Sequence, residues 1–319
     1  MTPDIESIRR GKDDIVRRYG DWTAHNIHLA GDVYTIGDRL VGDELKLRRV
    51  VQIIADVCDR PFEALRILDL ACLEGLYAIE LARRGARVVA IEGREANIEK
   101  ARFVKQALAL DTLELVLDDV RHLGRERFGR FDVVLCLGIL YHLDAPDVFE
   151  FLQRVAEVCR RAAIIDTHVS LAAKTCHRFE GRSYWGRTYA EHRAGATPDE
   201  KAGAAWASLD NPESFWLTRP SLYNGLSHAG FTSVYECLVP VERDKPRDRV
   251  TLLALKGERV TLVSSPPANA PADDGWPETS TGTVHPSQRG FVARLPGRIK
   301  GLLARLRAAA FRSGFGERP

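Results

Sequence analysis

From residue 66 to residue 257 the chain alternates short apolar runs with stretches of helical periodicity, and this alternation restricts its fold more than any other feature. RILDLA (66–71) leads into LYAIELARRG, RVVAIEG (87–93) into EANIEKARFVKQALAL, and LELVLDD (113–119) into the apolar run FDVVLCLG (131–138). A helix near Asp147–Arg160 precedes RAAIIDTHV (161–169). After a long irregular segment come a helix near Ser221–Ala229 and the runs SVYECLVP (233–240) and RVTLLALKG (249–257). Runs apolar nearly throughout suit strands covered on both faces. Their alternation with helices predicts an α/β fold, doubly wound around a mostly parallel seven-stranded sheet. Only VERDKPRD separates the last two runs, so they should close the sheet as an antiparallel hairpin.

Around this core the composition divides the chain further. Residues 1–60 read as a helical N-terminal cap, with helices over Asp4–Tyr19 and near Asp43–Cys58 flanking the turn-rich DWTAHNIHLAGDVYTIG, and 61–258 as the main domain. Within the domain, 171–219 is an insertion rich in aromatic and polar residues, read as a substrate lid. Residues 259–288 have the proline-rich composition of a disordered linker, and 289–319 form a basic amphipathic tail. The tail holds eight basic residues and one acidic, so the preceding 288 residues carry 38 basic against 43 acidic. An acidic body disfavours a whole-domain nucleic-acid surface. The tail leaves an anionic membrane surface, RNA or a protein open as partners. Six scattered cysteines without a C-x-x-C pair point to free thiols in a reducing cytoplasm and to no metal. The charged start lacks a signal peptide's apolar stretch, and no run approaches a membrane span. The expected location is therefore cytoplasmic, with the tail allowing peripheral contact at the inner membrane surface. Oligomeric state is not legible.

Ligands of open parallel sheets bind at strand carboxyl ends where the strand order reverses. Four segments reach such ends: Asp69, Ala71, Cys72, Glu74 and Gly75 in DLACLEG; Glu92 and Gly93; Asp118, Asp119 and Val120; and Leu137 and Gly138. Glu92, about twenty residues beyond the turn, is placed to accept both hydroxyls of a ribose. A nicotinamide fingerprint would need three glycines in the first turn, which supplies one. Any one of these acids could instead be a helix cap; their joint placement with FDVVLCLGILYHL is the signal.

On these motifs the run from Arg66 to Val169 resembles the class I, Rossmann-like S-adenosylmethionine-dependent methyltransferases of bacterial type. The resemblance implies S-adenosyl-L-methionine as cofactor, with the methionine part near Ala71, Cys72 and Gly75, the ribose at Glu92 and the adenine amino group at Asp119. The first motif departs from the family, having Ala71 and Leu73 where glycines are usual. Ala is tolerated there unless the backbone needs positive φ, and the Leu73 side chain must point away from the cofactor.

Methyl transfer to a hydroxyl requires an aligned nucleophile and removal of its proton. His142 is the leading base, followed by His168 and Asp166. Tyr141, Arg182, Tyr184, Trp185, Trp216 and Arg219 are candidates for holding the acceptor, and Trp22, His25 and Asn26 for covering the cofactor. The expected acceptor is a small molecule or saccharide. Two alternatives stand beside it. The FWLTR and YHL segments are similar to bacterial enzymes that transfer a group to a tRNA wobble uridine, and a blocked first turn would leave a non-catalytic cofactor-fold module.

Overall fold

A computed structural model of the chain describes residues 4–37, 44–242 and 245–260. The expected tail and nearly all of the linker lie outside the described residues. In chain order the elements are α1 (Ile5–Tyr19), β1 (His28–Ala30), β2 (Val33–Tyr34), α2 (Glu44–Val57), β3 (Arg66–Leu70), α3 (Leu76–Ala82), β4 (Arg87–Glu92), α4 (Glu95–Ala107) and β5 (Leu113–Leu117). There follow α5 (Arg125–Phe128), β6 (Phe131–Leu137), α6 (Asp147–Val158), β7 (Cys159–His168), β8 (Thr175–Phe179), β9 (Arg182–Ala190), α7 (Pro198–Gly203), β10 (Glu213–Leu217), α8 (Arg219–Ala229), β11 (Ser233–Glu236) and β12 (Arg249–Leu255).

Seven strands form the main sheet in the order β11-β12-β7-β6-β3-β4-β5. The pairings β3–β4, β4–β5, β3–β6 and β6–β7 are parallel, while β12 is antiparallel to both β7 and β11. This is the doubly wound sheet with a terminal antiparallel pair that the apolar runs predict. Strand order reverses between β3 and β6, so the ligand crevice opens above their carboxyl ends.

Alternation along each strand feeds two cores. Leu68, Leu70, Val89, Ile91, Val134, Cys136, Ala163 and Ile165 face one side, against α6 and α8. Ile67, Val88, Ala90, Val133, Leu135, Ala162 and Ile164 face the other, with α3 and α4. Ile8, Trp22, Ile27, Val50 and Ile54 join that second core. The N-terminal cap thus shares the domain's core, and the expected break at residue 60 is not a packing boundary. The cap is also not wholly helical: β1 and β2 pair as a short antiparallel hairpin.

The insertion differs from its sequence-based expectation. The segment read as irregular holds a three-stranded antiparallel sheet, β10-β9-β8, with the short α7 between β9 and β10. β10 brings Phe215, Trp216 and Leu217 into buried positions beside the 3-10 turn Leu140–His142. No helix among the described residues is long and apolar enough to cross a membrane.

Candidate active site

The carboxyl ends of β3, β4 and β6 surround a cavity of about 280 Å³. Asp69, Ala71, Cys72, Glu92, Gly93, Val120, Leu137 and Gly138 line it, as do His142 and Tyr141. Backbone shape at the first turn has a definite cause. Ala71 and Leu73 both lie in the left-handed region, at φ 53° and 51°, and Gly75 follows at φ 87°. The positions where the family has glycine therefore do need positive φ here, and two L-residues adopt it at a cost of about 1–2 kcal/mol each. Glu92 helps to hold that conformation: its Oε2 accepts from Leu73 N at 2.9 Å, while Oε1 accepts from Arg94 N at 2.9 Å and Asn97 Nδ2 at 3.3 Å. Leu73 itself stands in the cavity wall without closing it.

Asp69 is 1 % exposed, and its Oδ2 meets no hydrogen-bond partner among the described residues. Burial, reinforced by the neighbouring Glu92 charge, pushes its carboxyl up to about 7. A buried acceptor without a donor is costly, and a ligand cation or N–H would remove that cost.

Four expected cofactor contacts fall elsewhere. Glu74, fully buried, accepts from the backbone N–H groups of Thr23, Ala24 and His25 and pairs with Lys100 at 3.3 Å, so it fastens the N-terminal cap rather than facing the cavity. Gly75 does not line the cavity; a Cβ there would press on Ala101 and Ile79 at 3.1 Å. Asp119 caps the 3-10 turn Val120–His122 and binds Arg121 through Nε and Nη2, while Asp118 pairs with His122 and Arg127. Both acids are spent on local cations, and their neighbour Val120 presents the apolar surface instead.

The three candidate bases separate clearly. His142 lines the cavity and gives its Nδ1 proton to Glu191 Oε2 at 2.9 Å. Glu191 also accepts from Ser208 N at 2.8 Å and Ser214 Oγ at 2.6 Å. Burial alone would raise the Glu191 carboxyl, but its hydrogen bonds from His142, Ser214 and Ser208 hold it below its ordinary value. Facing a carboxylate, Nδ1 must be the protonated nitrogen, so the lone pair sits on Nε2, which makes no hydrogen bond among the described residues. His168 has no such freedom: Nδ1 meets Asp248 at 3.2 Å and Nε2 meets the obligate donor Arg249 at 3.3 Å. Asp166, fully buried, accepts from Arg249 Nε and Thr251 Oγ1, both at 2.6 Å. Its charged neighbours overcome burial and keep it ionised, so it is a poor proton acceptor. Neither His168 nor Asp166 lines the cavity.

Of the expected acceptor contacts, only Tyr141 lines the cavity. Tyr184 is buried on Phe149 and bonds His228; Arg219 pairs with Glu236; Arg182 is exposed at the β8–β9 turn; Trp185 bonds Ser221 through its backbone. Trp216 lies between His168 and Tyr189, with Arg187 over its ring at 4.2 Å. Within the FWLTR segment, Phe215, Trp216 and Leu217 are buried, Thr218 caps α8 and Arg219 pairs with Glu236. In the N-terminal cap, Trp22 packs on Phe103, Asn26 holds the turn at Ile36 and Gly37, and His25 lines the cavity.

The cover comes from within the 171–219 insertion, at residues that sequence reasoning did not single out. Ala205–Leu209 line the cavity, held by Arg94, whose guanidinium donates to the carbonyls of Ala202, Ala204, Ala207 and Ser208. A Cβ on Gly93 would overlap Leu209. Lys46 and Arg249 complete the opposite rim. Glu191 lies 49 residues from His142, so nothing in the sequence joined them.

Residues 67–162 match a family described as a methyltransferase domain. The ubiquinone biosynthesis O-methyltransferase of Maricaulis maris (strain MCS10) is 38% identical over 96 residues, covering 28% of this chain and 35% of that protein. The protein of the same name from Chelativorans sp. (strain BNC1) is 30% identical over 108 residues, covering 33% and 40%. The chain thus spans only about a third of the length of the curated relatives it matches. Among solved structures, the N-terminal domain of EvdMO1 with SAH bound is 25% identical with a TM-score of 0.61, covering 81% of this chain and 98% of that one. The same domain in the presence of SAH and D-fucose gives 24% and 0.61.

Strand order, terminal antiparallel strand and cavity position define a Rossmann-like α/β ligand-binding domain. Residues 67–162 match the methyltransferase domain family, and the sheet built around them has the Rossmann-like methyltransferase fold.

Proposed function

We propose that the chain is an S-adenosylmethionine-dependent O-methyltransferase whose acceptor is a hydroxyl of a small molecule or saccharide. One observation carries this reading: a single cavity holds the carboxylate oxygen of Asp69 that has no partner among the described residues and the carboxylate-oriented imidazole of His142. The residues present suit the cofactor. Asp69 Oδ2 answers a cation or ammonium N–H. Glu92, already accepting three hydrogen bonds, keeps one lone pair on Oε2 for a ribose hydroxyl, and Val120 and Leu209 offer apolar contact to a purine. The domain-family match, the relatives named O-methyltransferases and the SAH-bound neighbour support the same assignment.

When bound, S-adenosylmethionine supplies a methyl group on a sulfonium, an electrophile open to in-line attack by oxygen. The chain's own work is to bind, align and deprotonate. His142 Nε2 takes the proton of the acceptor hydroxyl. Glu191, a positioning residue, keeps the ring in the tautomer that leaves this lone pair free and stabilises the imidazolium that forms. Residues 205–209 shield the reacting groups from water.

Saturable heat on titration with S-adenosylmethionine and SAH is the expected result, and a folded chain that gives none overturns the reading. His142→Ala lowers kcat about 10²–10⁴-fold while SAH affinity stays. Glu191→Gln lowers kcat with KM retained and shifts the pH–rate profile; wild-type kinetics in both variants would leave the pair structural.

A further inference from the structure

We propose that the acceptor carries an anionic group, a carboxylate or a phosphate, received by Lys46 and Arg249 at the far rim of the cavity. The inference rests on the methyltransferase reading and names the substrate class of that same site.

Charge is divided across the sheet. The carboxylates Asp69 and Glu92 stand at the ends of β3 and β4. Arg94, at the end of β4, is committed to the carbonyls of the cover; beyond the switch point Arg249 opens β12, and Lys46 reaches over from α2. A cofactor held at β3 and β4 leaves the β6–β7–β12 side to the acceptor. On that side, one buried carboxylate faces three cations. Asp166 takes Arg249 through Nε at 2.6 Å and Nη2 at 2.5 Å, with Lys46 Nζ and Lys245 Nζ each 3.6 Å away. Its charge neutralises one of them. Lys245 is turned onto Thr251 Oγ1 at 2.6 Å and does not line the cavity.

Lys46 and Arg249 do line it. Lys46 makes no hydrogen bond among the described residues, only the 3.6 Å ion pair, so its ammonium keeps donors to offer a ligand in the cavity it lines. Arg249 Nη2 and the Tyr141 hydroxyl lie 3.7 and 3.8 Å from the point a Cβ on Gly138 would occupy, which adds a guanidinium and a phenol at the end of β6. An anchor for Asp166 needs only Arg249 and Thr251. Placing a second cation beside that pair is repulsive unless another anion arrives.

The test begins with SAH titration of wild type, Lys46→Met and Lys46→Arg, which asks about the methyltransferase reading separately. Labelled methyl groups are then transferred from S-adenosylmethionine into a ribonuclease-treated bacterial small-molecule extract, and the products pass over an anion exchanger. Retained label is expected, with incorporation at limiting extract at least tenfold lower in Lys46→Met, largely restored in Lys46→Arg, and SAH affinity within twofold throughout. Phosphatase with phosphodiesterase releases the label if the anion is a phosphate and leaves it retained if it is a carboxylate. Label in the flow-through overturns the proposal. So does a tenfold loss of SAH affinity in Lys46→Met, which would assign the ammonium to the cofactor's own carboxylate. SAH binding without any methyl transfer would instead count against the enzyme reading.

Discussion

At Asp69 a single carboxylate joins stability, ligand and pH. Its folded pKa of about 7 lies above the ordinary 3.8, so between those values the folded state holds a proton that the unfolded chain has lost. Stability from this group therefore falls as pH rises through that window. A cationic ligand beside Oδ2 favours the ionised form. The affinity for S-adenosylmethionine should accordingly rise as pH crosses about 7, and Asp69→Asn should flatten the rise. Calorimetric titration at pH 6 and 8 checks both, and an unchanged wild-type affinity removes Asp69 from the ligand's cation. Asp69 was legible as a site residue because it ends an apolar run. Its missing partner was not, since hydrogen bonding depends on atoms distant in sequence.

Among the elements, the connection between β9 and β10 does most to shape the site. It supplies the cover at 205–209, which Arg94 grips from the end of β4, and it offers Ser208 N to Glu191. Arg94→Ala should loosen residues 202–208, weaken SAH binding about tenfold and lower kcat, since four charge-assisted hydrogen bonds are lost together. Limited proteolysis and SAH titration report it; unaltered cleavage and affinity would show the cover is held by other contacts. The sequence hid this element for a physical reason. β8 and β9 carry His, Arg, Ser and Thr on both faces, and only one side of the small sheet meets the core, so the period-two signal is faint. The main strands, apolar on both faces, were plain.

The whole molecule depends on how the N-terminal cap meets the sheet. Glu74 gathers three backbone N–H groups from residues 23–25 and the Lys100 ammonium into a site without solvent. The same junction presents His25 to the cavity, its Nδ1 accepting from Leu76 N at 3.1 Å. Glu74→Gln leaves Lys100 buried without its counter-charge and should destabilise the fold by about 3–5 kcal/mol. Thermal or denaturant unfolding measures this; a loss below about 1 kcal/mol would mean the cap is held by apolar packing alone.

By itself, the sequence determined the features encoded in local periodicity and strand ends. These are the doubly wound sheet, the antiparallel closing pair, the crevice at Asp69, Glu92 and Gly138, and His142 as a residue facing it. Tertiary structure decided which polar groups were already spent. Asp119, Glu74, Asp166 and His168 occupy positions that suit a site, yet each is consumed by a partner brought in from elsewhere or by a neighbouring cap. Glu191, Arg94, Lys46 and Arg249 enter the site through contacts spanning tens to more than a hundred residues. A side chain's freedom to bind or react is set by its neighbours in space, and sequence order carries that information only where the neighbours are also adjacent in the chain.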